Sequence, residues 1–327
     1  TIIRAIRKPG VTIIYISHRL KEIYEIGDRL TVLRNGKLVT TTEVEAIAIP
    51  EIVRHMVGRS MDAEFPFDES VTPGPVSLSV EGLRYAKGKH RNSFFVWEGE
   101  ILGIAGLVGS GRTETVRAIF GADPKDEGHI VLKGKELRIK APKDAIDHGI
   151  CLLTEDRKSQ GLILDMPCDT NITITDLSKV SRFGLLDRPQ ERAAAEQLSK
   201  ELSVRTPTVS QLVRNLSGGN QQKVVIAKWL YRQAEVLIFD EPTRGIDVGA
   251  KYEIYLLLWR LASQGKSVIV VSSELPELLG ICHRLLVFSN GKITAELPRE
   301  EFDQERILAY AYKEYIQTDQ GVSEANL

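Results

Sequence analysis

The sequence predicts an α/β fold, a mixed sheet core that carries a mostly helical lobe. Three observations predict it. An apolar run, Ile101 to Ala105, leads into the glycine-rich loop Gly106-Leu107-Val108-Gly109-Ser110-Gly111-Arg112-Thr113 and then a helical stretch to Phe120. A second apolar run, Val236-Leu237-Ile238-Phe239, ends in the acidic pair Asp240-Glu241 and follows a helix candidate, Val224 to Tyr231. Apolar strands alternating with helices are the pattern of an α/β core. Third, a block near the start of the chain recurs near its end. Gly10 pairs with Gly265, Ser17 with Ser272, Leu20 with Leu275, Glu22 with Glu277, Arg29 with Arg284, and Asn35-Gly36-Lys37 with Asn290-Gly291-Lys292, every pair 255 positions apart. An ungapped repeat in one register predicts two similar domains of about that length, with the tail of the first and the whole of the second in this chain.

Taken in order, residues 1–8 have helical spacing that Pro9-Gly10 stops. Val11 to Ser17 reads as a buried strand, followed by His18 and a short helix, Arg19 to Ile26. Thr31 to Arg34 and Lys37 to Val39 flank Asn35-Gly36, a hairpin signal. Residues 49–57 read as a short helix, which completes a first-domain remnant over 1–58. Residues 59–75 hold Pro66, Pro73, Gly74 and Pro75 and read as a linker. The second domain is expected over 76–317. Its strands begin with Val76 to Leu83 and Ser93 to Trp97. Strands and turns continue past the glycine-rich loop to Leu153, and a helical lobe over about 155–215 contains the helix Pro189 to Leu202. Lys251 to Ala262 reads as helix, Ser267 to Val271 as strand, Glu300 to Tyr312 as helix, and 318–327 as a polar tail.

Composition narrows the function. A net charge of −1 and a pI of about 6.6 supply no basic field, so no nucleic-acid partner is expected. No apolar run reaches the length of about 18 residues that reads as a membrane span. Cys151, Cys168 and Cys282 are scattered, odd in number and without metal spacing, so reduced thiols in or near a core are expected. The chain has no signal peptide and no initiator Met, and is expected to begin partway into a longer protein.

The chemistry concentrates in two stretches. Gly106 to Thr113 fits the phosphate-loop template G-x-x-x-x-G-K-[ST], with Arg112 where Lys is expected. Its glycines let backbone N–H groups wrap phosphate oxygens, and Thr113 can place its hydroxyl on Mg²⁺. Arg keeps the positive charge, but its planar fork is bulkier than an ammonium. The second stretch opens with Leu216-Ser217-Gly218-Gly219-Asn220-Gln221-Gln222-Lys223. Ser217, Gly218 and Gly219 present N–H groups at a helix start, where an anion such as a γ-phosphate is favoured. Asp240 sits where a Mg²⁺ ligand is expected, and Glu241 can orient or deprotonate an attacking water. Gly245-Ile246-Asp247 closes the block. ATP and Mg²⁺ are the ligands these parts predict. Tyr85 reads as a strand-packing aromatic, with adenine stacking as the alternative. His129, His148 and His283 lack partners at ligand spacing, so no further metal site is expected.

Gly106 to Glu114, Glu155-Asp156-Arg157-Lys158 with Gly161-Leu162, Leu216 to Trp229 and Asp240 to Lys251 together resemble the second nucleotide-binding domain of the monosaccharide ABC importer ATPases, the ribose, galactose and xylose group. The resemblance covers essentially the whole chain, with residues 1–58 similar to the end of the first domain. It implies a P-loop NTPase fold of ABC type and an ATPase that drives sugar uptake. It also implies a peripheral position on the cytoplasmic face of the inner membrane, against permease subunits served by a periplasmic sugar-binding protein. Carried over residue by residue, it implies nucleotide contacts from Gly106, Gly109, Ser110, Gly111, Arg112, Thr113 and Glu114. Ser217, Gly218, Gly219 and Gln221 stand in the signature, and Asp247 in the D-loop. Thr113 and Asp240 would hold the metal, and Glu241, Glu155, His18 and Ser273 would surround the chemistry.

Three positions depart from the general ABC pattern. Arg112 replaces Lys, Glu155 stands where the Q-loop Gln would lie, and Ser273 takes the place of the switch histidine. The repeat pairs Ser273 with His18. A serine cannot position a γ-phosphate through an imidazole. The resemblance therefore implies two unequal sites. The better one combines the first domain's phosphate loop and His18 with the signature seen here; the poorer one combines Arg112, Glu155, Asp240, Glu241 and Ser273 with the other domain's signature. Two competing readings are a soluble ABC-class ATPase of DNA repair or translation, and a nucleotide-sensing module without hydrolysis. Only about a hundred residues separate Thr113 from Leu216, too few for the long coiled-coil insertion of repair types.

Overall fold

The computed structural model describes residues 6, 11–16, 20–34, 37–47, 51–52, 55 and 71–324. Two compact units are distinguished: the described residues up to 64 together with Ile246–Glu253, and those from 71 to Gly245 with Ile254 onward.

In the first unit, helix α1 (Leu20–Ile26) precedes an antiparallel hairpin of β1 (Arg29–Arg34) and β2 (Lys37–Glu43). The pairing fits the Asn35-Gly36 hairpin signal, although those two residues lie outside the described set. Leu30, Val32, Val44, Ile47 and Ile52 form a small buried cluster, with Ile23 and Val39 packed against it. The strand expected over Val11 to Ser17 is not formed: Val11–Ile16 has no regular structure and is exposed throughout. A buried parallel strand needs a neighbour on each side to satisfy its amides and cover its side chains, and no described strand pairs with this run. Ser17 and His18 lie outside the described residues, as do most of 1–10 and all of 59–70.

The second unit opens with β3 (Val76–Tyr85) and β4 (Asn92–Trp97), which join β6 (Lys125–Leu132) and β7 (Lys135–Leu137) in an antiparallel sheet of order β4-β3-β6-β7. The larger sheet contains β5 (Ile101–Gly106), β8 (Ile150–Leu153), β11 (Val236–Asp240), β12 (Ser267–Val271), β13 (Arg284–Ser289) and β14 (Lys292–Pro298). Its order is β14-β13-β5-β12-β11-β8, parallel except for the β13–β14 hairpin. Every residue of β8, β11 and β12 is buried. Burial on both faces explains why these strands read as continuous apolar runs and not as alternation.

Helix α2 (Arg112–Phe120) follows β5, and α3 (Pro142–Asp147) leads into β8. The lobe between β8 and β11 contains α4 (Cys168–Thr173) and α5 (Arg188–Glu201), both packed on α6 (Gly218–Tyr231). Asp187 starts α5 by accepting from the Gln190 N–H at 3.1 Å. The lobe also holds a two-stranded ribbon, β9 (Ser181–Arg182) and β10 (Leu185–Leu186), that the helical reading of this region did not include. Helices α7 (Val248–Ser263) and α8 (Leu275–Ile281) flank β12 in sequence. The last helix, α9 (Gln304–Glu324), runs well past Tyr312 into the stretch expected to be a polar tail. Polarity does not end a helix when no proline or glycine stop precedes it at 313–320.

The two sheets are joined by a buried ion pair. Arg284 donates to Glu100 at 2.9 Å and to the Phe95 carbonyl at 2.7 Å, with its guanidinium over the Phe95 and Trp97 rings. Cys151, Cys168 and Cys282 are buried and unpaired.

Candidate nucleotide site

Strand β5 ends at Gly106, and the chain turns through a loop to α2. Gly109 (φ 77°) and Gly111 (φ 95°) adopt left-handed conformations that favour glycine. A Cβ on Gly111 would come within 2.8 Å of the Tyr85 hydroxyl and 3.0 Å of Gly291 Cα, so the loop passes where only hydrogen fits. Tyr85 donates to the Gly111 carbonyl at 2.8 Å. It braces the loop from beneath, in line with the strand-packing reading.

The loop opens on a cleft of about 490 Å³ lined by Val108 to Glu114, Glu155, Glu241, Arg244 and Ser273. The structure thus brings together nine expected site residues from four separate stretches: Gly109, Ser110, Gly111, Arg112, Thr113 and Glu114, with Glu155, Glu241 and Ser273 beside them. Asp240 reaches the same place, since Thr113 Oγ1 donates to its Oδ1 at 3.2 Å. Burial raises the Asp240 carboxyl to about 6, with Glu241 adding to the shift. A divalent cation would favour the carboxylate form, and the adjacent hydroxyl and carboxylate are hard oxygen donors that suit Mg²⁺. Ser110 Oγ is buried and has no hydrogen-bond partner among the described residues. An orphaned hydroxyl inside a glycine loop fits a phosphate cradle.

Arg112 does not point along the loop. Its side chain is 8% exposed, and it donates to the Ser272 carbonyl at 2.5 Å while approaching Glu241 Oε1 at 4.0 Å. Glu241 Oε2 accepts from Ser273 Oγ at 3.1 Å. Glu241 itself is left-handed (φ 51°), a conformation that costs a non-glycine residue on the order of 1 kcal/mol and clusters at functional sites. Burial raises its carboxyl, against the lowering by Ser273 and Arg112.

Ser217, Gly218, Gly219 and Gln221 stand apart from this cleft, at the start of α6. Ser217 is the N-cap, and its hydroxyl accepts from Asn220 Nδ2 at 2.9 Å, which leaves the first N–H groups of the helix without a side-chain cap. Gln221 is buried and donates to the Val213 carbonyl at 3.2 Å. Asp247 caps its own helix start by accepting from Ala250 N–H at 3.0 Å. His18 lies outside the described residues.

Sequence reasoning assigned no role to Arg244 or to Arg157 individually. Arg244 pairs with Glu155 across the cleft. Arg157 donates to the Arg244 carbonyl at 2.9 Å and reaches Gln221 Oε1 at 3.4 Å, linking the turn after β8 to the loop after Glu241 and to α6. The signal for both was weak: arginines in charged loops are normally solvated.

A strand, phosphate loop and helix facing an acidic strand end, with a separate helix start bearing Ser-Gly-Gly, define an ABC-type P-loop nucleotide-binding domain. Residues 90–244 match the family described as ABC transporter. Over 311 residues it is 51% identical to a putative ribose/galactose/methyl galactoside import ATP-binding protein of Agrobacterium fabrum, covering 95% of this chain and 62% of that one. It is 50% identical over 310 residues to a ribose import ATP-binding protein of Rubrobacter xylanophilus, with 95% and 62% covered. The chain therefore spans about three fifths of the length of the curated relatives it matches. Among solved structures, an ATP-binding cassette of an ABC transporter in its ADP conformation shares the fold with a TM-score of 0.60 at 22% identity, covering 73% of this chain and 95% of that one. Among the described residues no helix is long and apolar enough to cross a membrane.

Proposed function

We propose that this chain is the C-terminal part of an ATP-binding and ATP-hydrolysing subunit that energises import of a monosaccharide through an ABC transporter, and that the site in its own cleft turns over slowly. The likeness to sugar-import ATP-binding proteins over 95% of the chain supports the transport reading. The observation that carries the slow site is Arg112, whose guanidinium lies against Ser272 and Glu241 where a phosphate-loop cation would face the nucleotide.

In this reading, residues 1–58 end a first nucleotide-binding domain, 59–75 link it to the second, and 76–317 form that second domain, with the lobe over about 155–215 and a tail over 318–327. The loop amides and Ser110 hold phosphate oxygens. Thr113 and Asp240 hold Mg²⁺, which when bound neutralises charge on the phosphates. Glu241 accepts the proton of the attacking water, and Glu155, Arg244 and Ser273 line the space around it. Ser217, Gly218, Gly219 and Gln221 serve the partner domain's phosphate loop, together with His18, and Asp247 contacts nucleotide from its loop. The subunit sits on the cytoplasmic face of the inner membrane against permease subunits that receive sugar from a periplasmic binding protein.

Calorimetric titration with Mg-ATP, alongside phosphate release from the same sample, tests this. Binding with little release supports the slow site. Fast release by this chain alone overturns it. No binding leaves 76–317 as a donor of signature only, and a nucleotide-sensing module is then excluded as well. In the full-length protein, an Arg112→Lys, Ser273→His double variant is expected to raise turnover at this site, and unchanged turnover sinks the account.

A further inference from the structure

We propose that Arg112 and Ser273 form an inhibitory clasp on Glu241, which a bound triphosphate opens by drawing the Arg112 guanidinium onto its own oxygens. The inference rests on the cleft being an ATP site. It differs from a merely weakened site, because the two departures then restrain the base actively and do more than fail to assist.

The clasp engages both carboxylate oxygens. Oε2 accepts from Ser273 Oγ at 3.1 Å, and Oε1 faces Arg112 at 4.0 Å. Arg112 is itself anchored by its 2.5 Å bond to the Ser272 carbonyl, the residue before Ser273. The backbone fixes the same geometry: β11 and β12 run in parallel register with Asp240 opposite Val271, and Glu241 N–H donates to the Val271 carbonyl at 2.8 Å. Glu241 and Ser273 are thus presented side by side at two adjacent strand ends, with the first residue of α2 closing over them. The arginine side of the clasp is enclosed, since the Glu241 side chain is 14% exposed and that of Arg112 is 8%.

Arginine is the residue suited to this switching. Its planar fork donates to a carbonyl and faces a carboxylate at once, and the same fork matches phosphate oxygens. A triphosphate in the loop offers Arg112 a more highly charged partner than Glu241. Once Arg112 has moved, Glu241 is held only by Ser273 and can accept a hydrogen bond from water. In hydrolysis the water oxygen bonds to the γ-phosphorus while the bond from phosphorus to the β–γ bridging oxygen breaks. ADP leaves with that electron pair, and the proton of the water passes to Glu241. Arg112 and Ser273 act through Glu241, as positioning residues that hold it back.

The test compares the whole chain as wild type, Arg112→Met, Ser273→Ala and Glu241→Gln, by Mg-ATP calorimetry and by phosphate release over a range of ATP concentrations. Ser273 is exposed, so its alanine variant keeps the fold. Ser273→Ala is expected to raise the rate at saturating ATP several-fold with KM unchanged. Arg112→Met is expected to raise both the saturating rate, roughly tenfold, and KM, since it loses a phosphate ligand while freeing the base. Adding Glu241→Gln to either variant is expected to erase the gain. Saturating rates at or below wild type in both single variants overturn the clasp, as does a gain that survives Glu241→Gln. Failure of wild type to bind ATP is seen before any variant is made, and it is the ATP-site reading that then falls.

Discussion

The two copies of the repeat share a sequence register and differ in fate. Helix α1 (Leu20–Ile26) matches α8 (Leu275–Ile281), β1 matches β13, and β2 matches β14, residue for residue at the 255-position offset. Even the irregularity is copied: the β1–β2 register shifts between Val32 and Leu33, and the β13–β14 register shifts between Val287 and Phe288. Yet Val11–Ile16 is irregular and exposed, whereas its counterpart is β12, the strand between β5 and β11. A short helix and a hairpin draw their hydrogen bonds from nearby residues. A parallel strand draws all of them from strands far away in sequence. Local pattern therefore repeats wherever the sequence repeats, and the buried strand forms only where its neighbours are present.

Hydrogen exchange should show this contrast at its largest. Amides of 267–271 are expected to exchange on the order of a thousandfold or more slower, relative to their intrinsic rates, than those of 11–16. Comparable protection in both runs would remove the distinction. Next in size is the pair Arg284 and Arg29. Arg284→Met leaves the buried Glu100 without its partner and is expected to cost about 3–5 kcal/mol in urea unfolding. Arg29→Met, at an exposed position, should stay within about 0.5 kcal/mol. A smaller effect is expected where a single methyl is removed. Ile269→Val in the fully buried β12 should cost about 0.5–1.5 kcal/mol. Ile14→Val, at an 88% exposed position, should cost nothing measurable.

The smallest effect is a pH dependence. His283 Nδ1 accepts from the Ile101 N–H at 3.0 Å, and burial pushes its pKa below the ordinary 6.5. The folded state thus keeps the ring neutral while the unfolded chain takes up a proton. Stability from this source is present above the unfolded value and is lost as pH falls from 6.5 through the folded value. Urea midpoints measured on either side of pH 6.5 should show the decline in wild type and a flatter profile in His283→Gln.

Much of the fold was legible because its signals are local. Apolar runs marked β5, β8, β11 and β12, helical residue types marked most of α5 from Pro189 on, and glycines at 106, 109 and 111 announced the turn into α2. The order of the strands was not legible, since β5 lies between β12 and β13, nearly two hundred residues away. Within the cleft, the residue types at 106–114 and 240–241 declared their chemistry by spacing. The direction of Arg112 was hidden, because Ser272 is 160 residues distant and its carbonyl has no sequence signature. Glu155 stood out only as a departure from a family pattern, and its partner Arg244 only as a charged loop residue.

By itself, the sequence determined the phosphate loop, the acidic strand end, the helix starts and the repeated hairpin, each set by backbone conformation and hydrogen bonds among residues close in the chain. Only the tertiary structure decided that Val11–Ile16 stays irregular while Ser267–Val271 becomes a central strand, and that Arg112 turns onto Glu241. Those outcomes depend on which distant groups are at hand to satisfy a buried amide, cover an apolar face or pair a charge.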